Sequence, residues 1–195
     1  MRTIRTEFPD LPIGMLIYGN VAFARGVEQF YAEFAEAGAD SILLPDVPVR
    51  EGAPFIAAAK EAGIDPIFIA PARAAERTLA GVAKHSQGYI YAISRDGVTG
   101  TEKESETTGL DEVVASIQRF DGPPVLLGFG ISSPQHVAEA IAANAAGAIT
   151  GSAITKIIDR HVSRETNAAG TINDANALHA ELTEFIAGMK EATKK

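Results

Sequence analysis

The feature that most constrains this chain is a repeated pairing of a short, uninterrupted apolar run with an amphipathic stretch. The runs cover residues 13–18, 41–44, 66–70, 89–93, 125–127 and 146–150. They are continuous rather than alternating in polarity, the pattern of strands buried on both faces, as in a parallel sheet. Between them Val27, Phe30, Tyr31 and Phe34 follow the i, i+3, i+4, i+7 stripe of a helix. Leu110, Val113, Val114 and Ile117 repeat the stripe, as do Val137, Ala140 and Ile141. A closing helix carries Leu178, Leu182, Phe185, Ile186 and Met189. Gly38 and Gly63 sit at expected helix C-caps, and Ser133-Pro134 reads as an N-cap followed by Pro at N1. The polar segment 163–174 reads as a loop.

About six strand–helix units of this kind predict an α/β fold with right-handed crossovers. A doubly wound sheet and a (β/α)8 barrel both fit. A complete barrel typically takes about 250 residues and eight strands, and this chain has 195 residues. Residues 1–10, with Ile4 and Phe8 spaced i, i+4, read as the last turns of a helix that leads directly into a strand. The chain is therefore expected to be a single barrel domain over 1–195, incomplete at its N-terminus.

Composition excludes several classes. With no cysteine, the chain has no disulfide, thiolate nucleophile or cysteine metal site. A net charge of −8 argues against a general nucleic-acid surface. No apolar run reaches the ~20 residues of a membrane span, and the N-terminus lacks the apolar core of a signal peptide. The chain is read as cytoplasmic. His85, His136, His161 and His179 show no metal-ligand spacing and are read as surface residues; no metal site is expected.

In parallel α/β proteins ligands bind at the carboxyl ends of strands. Two such ends suit a phosphate. Gly128-Phe129-Gly130 lets the backbone approach an anion closely, and Gly151-Ser152 opens a helix whose free N–H groups and dipole favour negative charge. The competing reading is that these glycines only permit tight turns. Their succession after the last two strands, where barrels commonly hold phosphate, favours the ligand. Residues 94–106 form a loop longer than the usual 2–6 residues, with Gly97 and Gly100 placed as hinges of a lid around Thr99. Asp46 follows a strand between two prolines, a position for acid–base work or for bracing a loop; bracing is the better reading. Tyr18 and Tyr91, taken alone, read as core.

These strand ends carry a family resemblance. The string Ser94-Arg95-Asp96-Gly97-Val98-Thr99-Gly100, with Gly128-Phe129-Gly130-Ile131-Ser132 and Gly151-Ser152-Ala153-Ile154, closely resembles the tryptophan synthase α chain. So do Pro12-Ile13-Gly14, the pair Tyr18 and Asn20, Leu44-Pro45-Asp46-Val47-Pro48 and Pro66-Ile67-Phe68-Ile69. The match runs along nearly the whole chain in one order.

The resemblance implies a (β/α)8 barrel that cleaves indole-3-glycerol phosphate to indole and glyceraldehyde 3-phosphate in tryptophan biosynthesis. It implies no cofactor in this chain and a partner β chain, in an α2β2 complex, that carries pyridoxal phosphate. By position, Gly100, Gly130, Gly151 and Ser152 match phosphate-site residues and Thr99 the lid threonine. Tyr91 matches a tyrosine beside the glycerol chain. Leu16, Tyr18, Asn20, Leu43, Pro45, Ile69 and Phe129 match pocket-lining positions, and Asp46 a supporting aspartate.

The family's first two strand–helix units, which carry a catalytic Glu and Asp, have no counterpart among these residues. No catalytic residue is therefore assigned, and the chain alone is expected to be inactive. The expectation is that Met1 is an internal methionine; the competing one is a shortened, noncatalytic paralogue that binds phosphate or the β chain. Another phosphate-binding barrel, such as an isomerase of histidine synthesis, fits the Gly-Val-Thr-Gly string less well.

Overall fold

Parallel pairing, which continuous apolar runs demand, is what the first strands adopt. The structure is a computed structural model that describes residues 1–93, 109–128, 130–163 and 170–194. Two compact units share these residues: 1–92 with 112–125, and 93–111 with 126–195.

The first unit opens with α1 (Arg2–Glu7) and β1 (Gly14–Leu16), followed by α2 (Gly19–Arg25) and α3 (Val27–Glu36). Next come β2 (Ser41–Leu43), a 3-10 turn at Val49–Glu51, α4 (Ala53–Ala62) and β3 (Asp65–Ile67). Then follow β4 (Ile69–Pro71), α5 (Glu76–His85), β5 (Ile90–Ile93) and α6 (Leu110–Arg119), most of which belongs to this unit. β1, β2 and β3 form a parallel sheet with Leu16 opposite Leu43 and Leu43 opposite Ile67. The apolar run 66–70 is not one strand. It breaks at Phe68 into β3, which pairs with β2, and β4, which neighbours β5. The Phe68 carbonyl accepts the Tyr91 N–H at 3.1 Å.

The predicted stripes are the buried ones. Phe30 and Tyr31 of α3 lie in a core with Ile42, Leu44, Phe55 and Ile64, each such side chain contributing on the order of 1.5–3 kcal/mol. Their rings meet edge to face, 5.4 Å between centroids. Burial pushes the Tyr31 phenol up to about 12. Leu110, Val113, Val114 and Ile117 are all buried. Helix α2 is an addition to the sequence reading, which places no helix between the apolar run 13–18 and the stripe that begins at Val27. It is separated from α3 by Gly26 at φ +89, backbone that glycine adopts without a Cβ penalty.

One arginine fastens the end of this unit opposite the candidate site. Arg5 donates to the carbonyls of Pro9 and Leu11 at 2.7 Å and of Gly38 at 2.8 Å, and to the Asp40 carboxylate at 2.6 Å. Asp40 also accepts the Ile13 N–H that leads into β1.

The second unit holds most of β6 (Val125–Gly128), with α7 (Pro134–Ala142), β7 (Gly147–Ala148), α8 (Ser152–Arg160) and α9 (Ala175–Glu191). β6 and β7 run parallel, with Leu127 opposite Ala148. Ser133 caps α7 by accepting the His136 N–H at 3.3 Å, as its position predicts. Leu178 and Met189 of α9 are buried with Val137 and Ala140 of α7 and Ala153 and Ile157 of α8, and α9 packs on both helices.

The segment read as a loop before α9 contains two short antiparallel strands, β8 (Val162–Ser163) and β9 (Thr171–Ile172). Backbone pairing of Val162 with Ile172 replaces the water that a polar loop would bind. Among the described residues no helix is long and apolar enough to cross a membrane.

Candidate functional site

In the first unit the candidate residues gather at the carboxyl ends of β1, β2, β4 and β5. Leu16 ends β1 and Leu43 ends β2, and sheet register sets them side by side. Leu43 is buried, whereas Leu16 is 57% exposed and Tyr18 63% exposed. The expectation that Tyr18 is core when taken alone is thus corrected: strand β1 stops at Leu16, and Tyr18 becomes the N-cap of α2 in extended backbone. Asn20, in the first turn of α2, is exposed. Ile69 opens β4 and Tyr91 lies in β5, both half-buried.

Asp46 joins two of these ends. Its Oδ1 accepts the Gly19 N–H at 2.8 Å, so the loop after β2, with Pro45, holds the start of α2. A carboxylate is favoured there because it satisfies a helix N–H that no helical carbonyl can reach. Gly19 is required by proximity. A Cβ on it would stand 2.9 Å from Val47 Cγ2 and 3.4 Å from Asp46 Oδ1.

The second unit brings Gly130, Gly151 and Ser152 together through a residue that the sequence reading passed over. The Thr150 hydroxyl donates to the Ile131 carbonyl at 2.7 Å, tying the loop after β6 to the loop after β7. Gly130 has φ +78, a conformation open to glycine at little cost. Gly151 is the N-cap of α8, with no side chain capping the helix. A Cβ there would meet nothing within 4 Å. The first turn of α8 therefore presents uncapped N–H groups, with the Ser152 hydroxyl at its first position, and the helix dipole adds partial positive charge. The only signal in the sequence was a Thr directly before Gly-Ser at a strand end.

Thr99, Gly100 and Phe129, and the proposed lid at 94–106, lie outside the described residues. The histidines depart from the surface reading. His85 and His136 are half-buried, and the His136 Nδ1 accepts the Ser132 N–H at 3.3 Å. His161 sits 2.6 Å from the Glu181 carboxylate. Only His179 is exposed. Among the described residues no three His, Asp or Glu side chains are grouped to hold a metal ion.

Comparison with known proteins follows the same line. Residues 1–193 match the family model described as tryptophan synthase alpha chain. The chain is 72% identical over 194 residues to the tryptophan synthase alpha chain of Corynebacterium aurimucosum, covering 100% of this chain and 68% of that one. It is similar in fold to the tryptophan synthase complex of Pyrococcus furiosus, with a TM-score of 0.77 and 24% identity over 97% of this chain and 70% of the other. A second Pyrococcus furiosus structure, of the tryptophan synthase α2β2 complex, aligns with a TM-score of 0.75 and 27% identity over 92% of this chain and 67% of that one. The strand–helix units are those of an α/β (β/α)8 barrel.

Proposed function

Because the chain belongs to the tryptophan synthase α chain family, we propose that it serves as the α subunit of tryptophan biosynthesis, cleaving indole-3-glycerol phosphate to indole and glyceraldehyde 3-phosphate. The observation that carries this reading is the pair of glycine loops fastened by Thr150 to Ile131 beside the uncapped start of α8. Barrels commonly hold a substrate phosphate between the last strand loops and the N-terminus of a short extra helix. In the second unit the backbone around Gly130 and Gly151, with Ser152, is the part proposed to take the phosphate. In the first unit Leu16, Tyr18, Asn20, Leu43, Pro45 and Ile69 are proposed for the indole and glycerol parts and Tyr91 for the glycerol chain. The roles proposed for Gly100 at the phosphate, for Phe129 in the pocket and for Thr99 in the lid rest on the family resemblance alone. Asp46 is a positioning residue, since its carboxylate already engages the Gly19 N–H.

The reaction is a retro-aldol cleavage. The indole nitrogen loses its proton as one is delivered to C3. The adjacent hydroxyl then loses its proton as the bond from C3 to the glycerol chain breaks. The electron pair of that bond passes into the ring, and the ring nitrogen takes up a proton again, leaving indole and an aldehyde. Each proton transfer needs a placed acid or base, worth typically 10²–10⁴-fold. These 195 residues supply few. Tyr91 offers a phenol, a poor base at neutral pH, and phosphate binding alone leaves the chemical barrier unchanged. The chain by itself therefore binds phosphate without turnover, and the family's Glu and Asp supply the missing groups. It acts in the cytoplasm and needs no cofactor of its own. Its partner is a β chain that carries pyridoxal phosphate, in an α2β2 assembly.

Indole release tests the catalytic part. The purified chain, saturated with indole-3-glycerol phosphate, is expected to give none. Restoring the two carboxylate-bearing units found in the family is expected to restore it. Indole formation by the 195 residues at enzymatic rates would overturn the assignment, and Asp46→Asn would then identify whether Asp46 is the base.

A further inference from the structure

Helix α8 is short, and its far end is held by a cluster outside the proposed phosphate site. Arg160, the last residue of α8, and His161, its C-cap, both bind the Glu181 carboxylate of α9. Arg160 engages Oε1, and the His161 Nε2 lies 2.6 Å from Oε2. The His161 side chain is 18% exposed. The His161 carbonyl also accepts the Asn173 N–H at 2.8 Å, where β9 turns into α9. Helix α8, the β8–β9 pair and α9 therefore meet at one histidine.

From this geometry we infer that His161 and Glu181 form a protonation-sensitive latch that sets the position of α8, and thereby the affinity of its N-terminus for a phosphate or sulfate group. The inference rests on the phosphate reading above. Helix α8 has nine residues, so its ends are about 13 Å apart, and its N–H groups can converge on an anion only if the helix is held at a fixed angle and height. Ala153 and Ile157 pack one face; the carboxylate of Glu181 fixes the end.

Imidazole changes charge between about pH 5 and 8. As the cation it donates to Glu181 in a charge-assisted bond and also complements the carboxyl end of the α8 dipole. As the neutral ring it holds the carboxylate only in the tautomer protonated at Nε2. The Glu181 carboxyl is held below the ordinary carboxylate range, first by its bond with His161 and then by that with Arg160, so it stays ionised throughout that window.

Other charged groups border the pair. Lys156 on α8 and Glu184 on α9 line the same groove, of about 590 Å³, and Asp174 caps α9. A further imidazole, that of His136, borders the glycine loop: its Nδ1 accepts the Ser132 N–H near Gly130, so a proton on that nitrogen would loosen the loop and act with the opposite sign.

Inorganic sulfate is the probe, because its charge is constant over this range while that of a phosphate ester is not. Its affinity is followed by the backbone amide resonances of Gly151 and Ser152 from pH 5.5 to 8, and the His161 imidazole is titrated with and without it. The wild-type chain is expected to bind sulfate at least twofold more tightly at pH 5.5 than at pH 8. Sulfate is expected to move the His161 titration to higher pH by the same coupling. His161→Gln, which keeps an uncharged donor, should bind at pH 8 like wild type and show a flat or reversed pH profile. Glu181→Gln should uncouple the His161 titration from sulfate.

Sulfate binding that keeps the wild-type pH profile in both variants would overturn the latch and leave the phosphate reading standing. If sulfate perturbs neither Gly151 nor Ser152 in wild type, the phosphate reading fails and the latch fails with it.

Discussion

Replacing Thr150 by Val removes one hydroxyl and keeps the volume of the side chain. The lost interaction is the 2.7 Å donation from Thr150 to the Ile131 carbonyl. A hydrogen bond of this kind contributes about 0.5–1.5 kcal/mol net, and a stranded partner costs about 1–3 kcal/mol. Thr150 is half-buried, so water can reach the carbonyl and the lower part of that range applies, about 1 kcal/mol. The Val methyl fills the place of the hydroxyl, so no cavity adds to it. For a chain of this size 1 kcal/mol corresponds to about 2–4 °C in Tm.

The second consequence is functional. With the two glycine loops no longer tied, glycerol 3-phosphate should bind at least twofold more weakly, although Thr150 itself need not touch the ligand. Thermal unfolding followed by circular dichroism reads the first effect and isothermal titration calorimetry the second. Thr150→Ser retains the hydroxyl and should recover most of both. A Val variant with unchanged Tm and affinity, or a Ser variant as impaired as the Val one, would show that the bond does not organise the site.

Gly130→Val should weaken glycerol 3-phosphate binding tenfold or more, about 1.4 kcal/mol, because a β-branched residue at φ +78 is strained and its side chain blocks the anion; calorimetry on the folded variant checks it. Arg5→Ala should destabilise the first unit by about 1–3 kcal/mol, since four contacts within 2.8 Å are lost and partial exposure discounts each; urea unfolding checks it, and phosphate affinity should not change. The Glu181 carboxyl is lowered on folding, so its contribution to stability is present above the ordinary carboxylate range and is lost as pH falls through its folded value. Thermal scans should show wild type ahead of Glu181→Gln at pH 7, with the gap closing as pH falls below the ordinary carboxylate range.

What was legible in the sequence is what period and local chemistry control. The stripe of Val27, Phe30, Tyr31 and Phe34, the Ser133 cap and the left-handed Gly63 at the end of α4 all depend on neighbours within one or two turns. The break at Phe68 was not legible, because it arises from two different strands competing for one apolar run. Helix α2 was hidden because its N-terminus is completed by Asp46, 27 residues away. The β8–β9 pairing has too few residues to carry an alternating pattern. The same division runs through the site. Glycines at strand ends announce themselves, but Thr150, Arg5 and the His161–Glu181 pair acquire their roles only from partners brought together by folding.

The most direct test of the central claim is a backbone amide map of the chain titrated with glycerol 3-phosphate. The account predicts saturable shifts concentrated at Gly130, Ile131, Gly151, Ser152 and Ala153, displaced by inorganic phosphate and needing at least tenfold more ligand in Gly130→Val. Shifts that fail to saturate, or that fall on residues remote from these two loops, would contradict it.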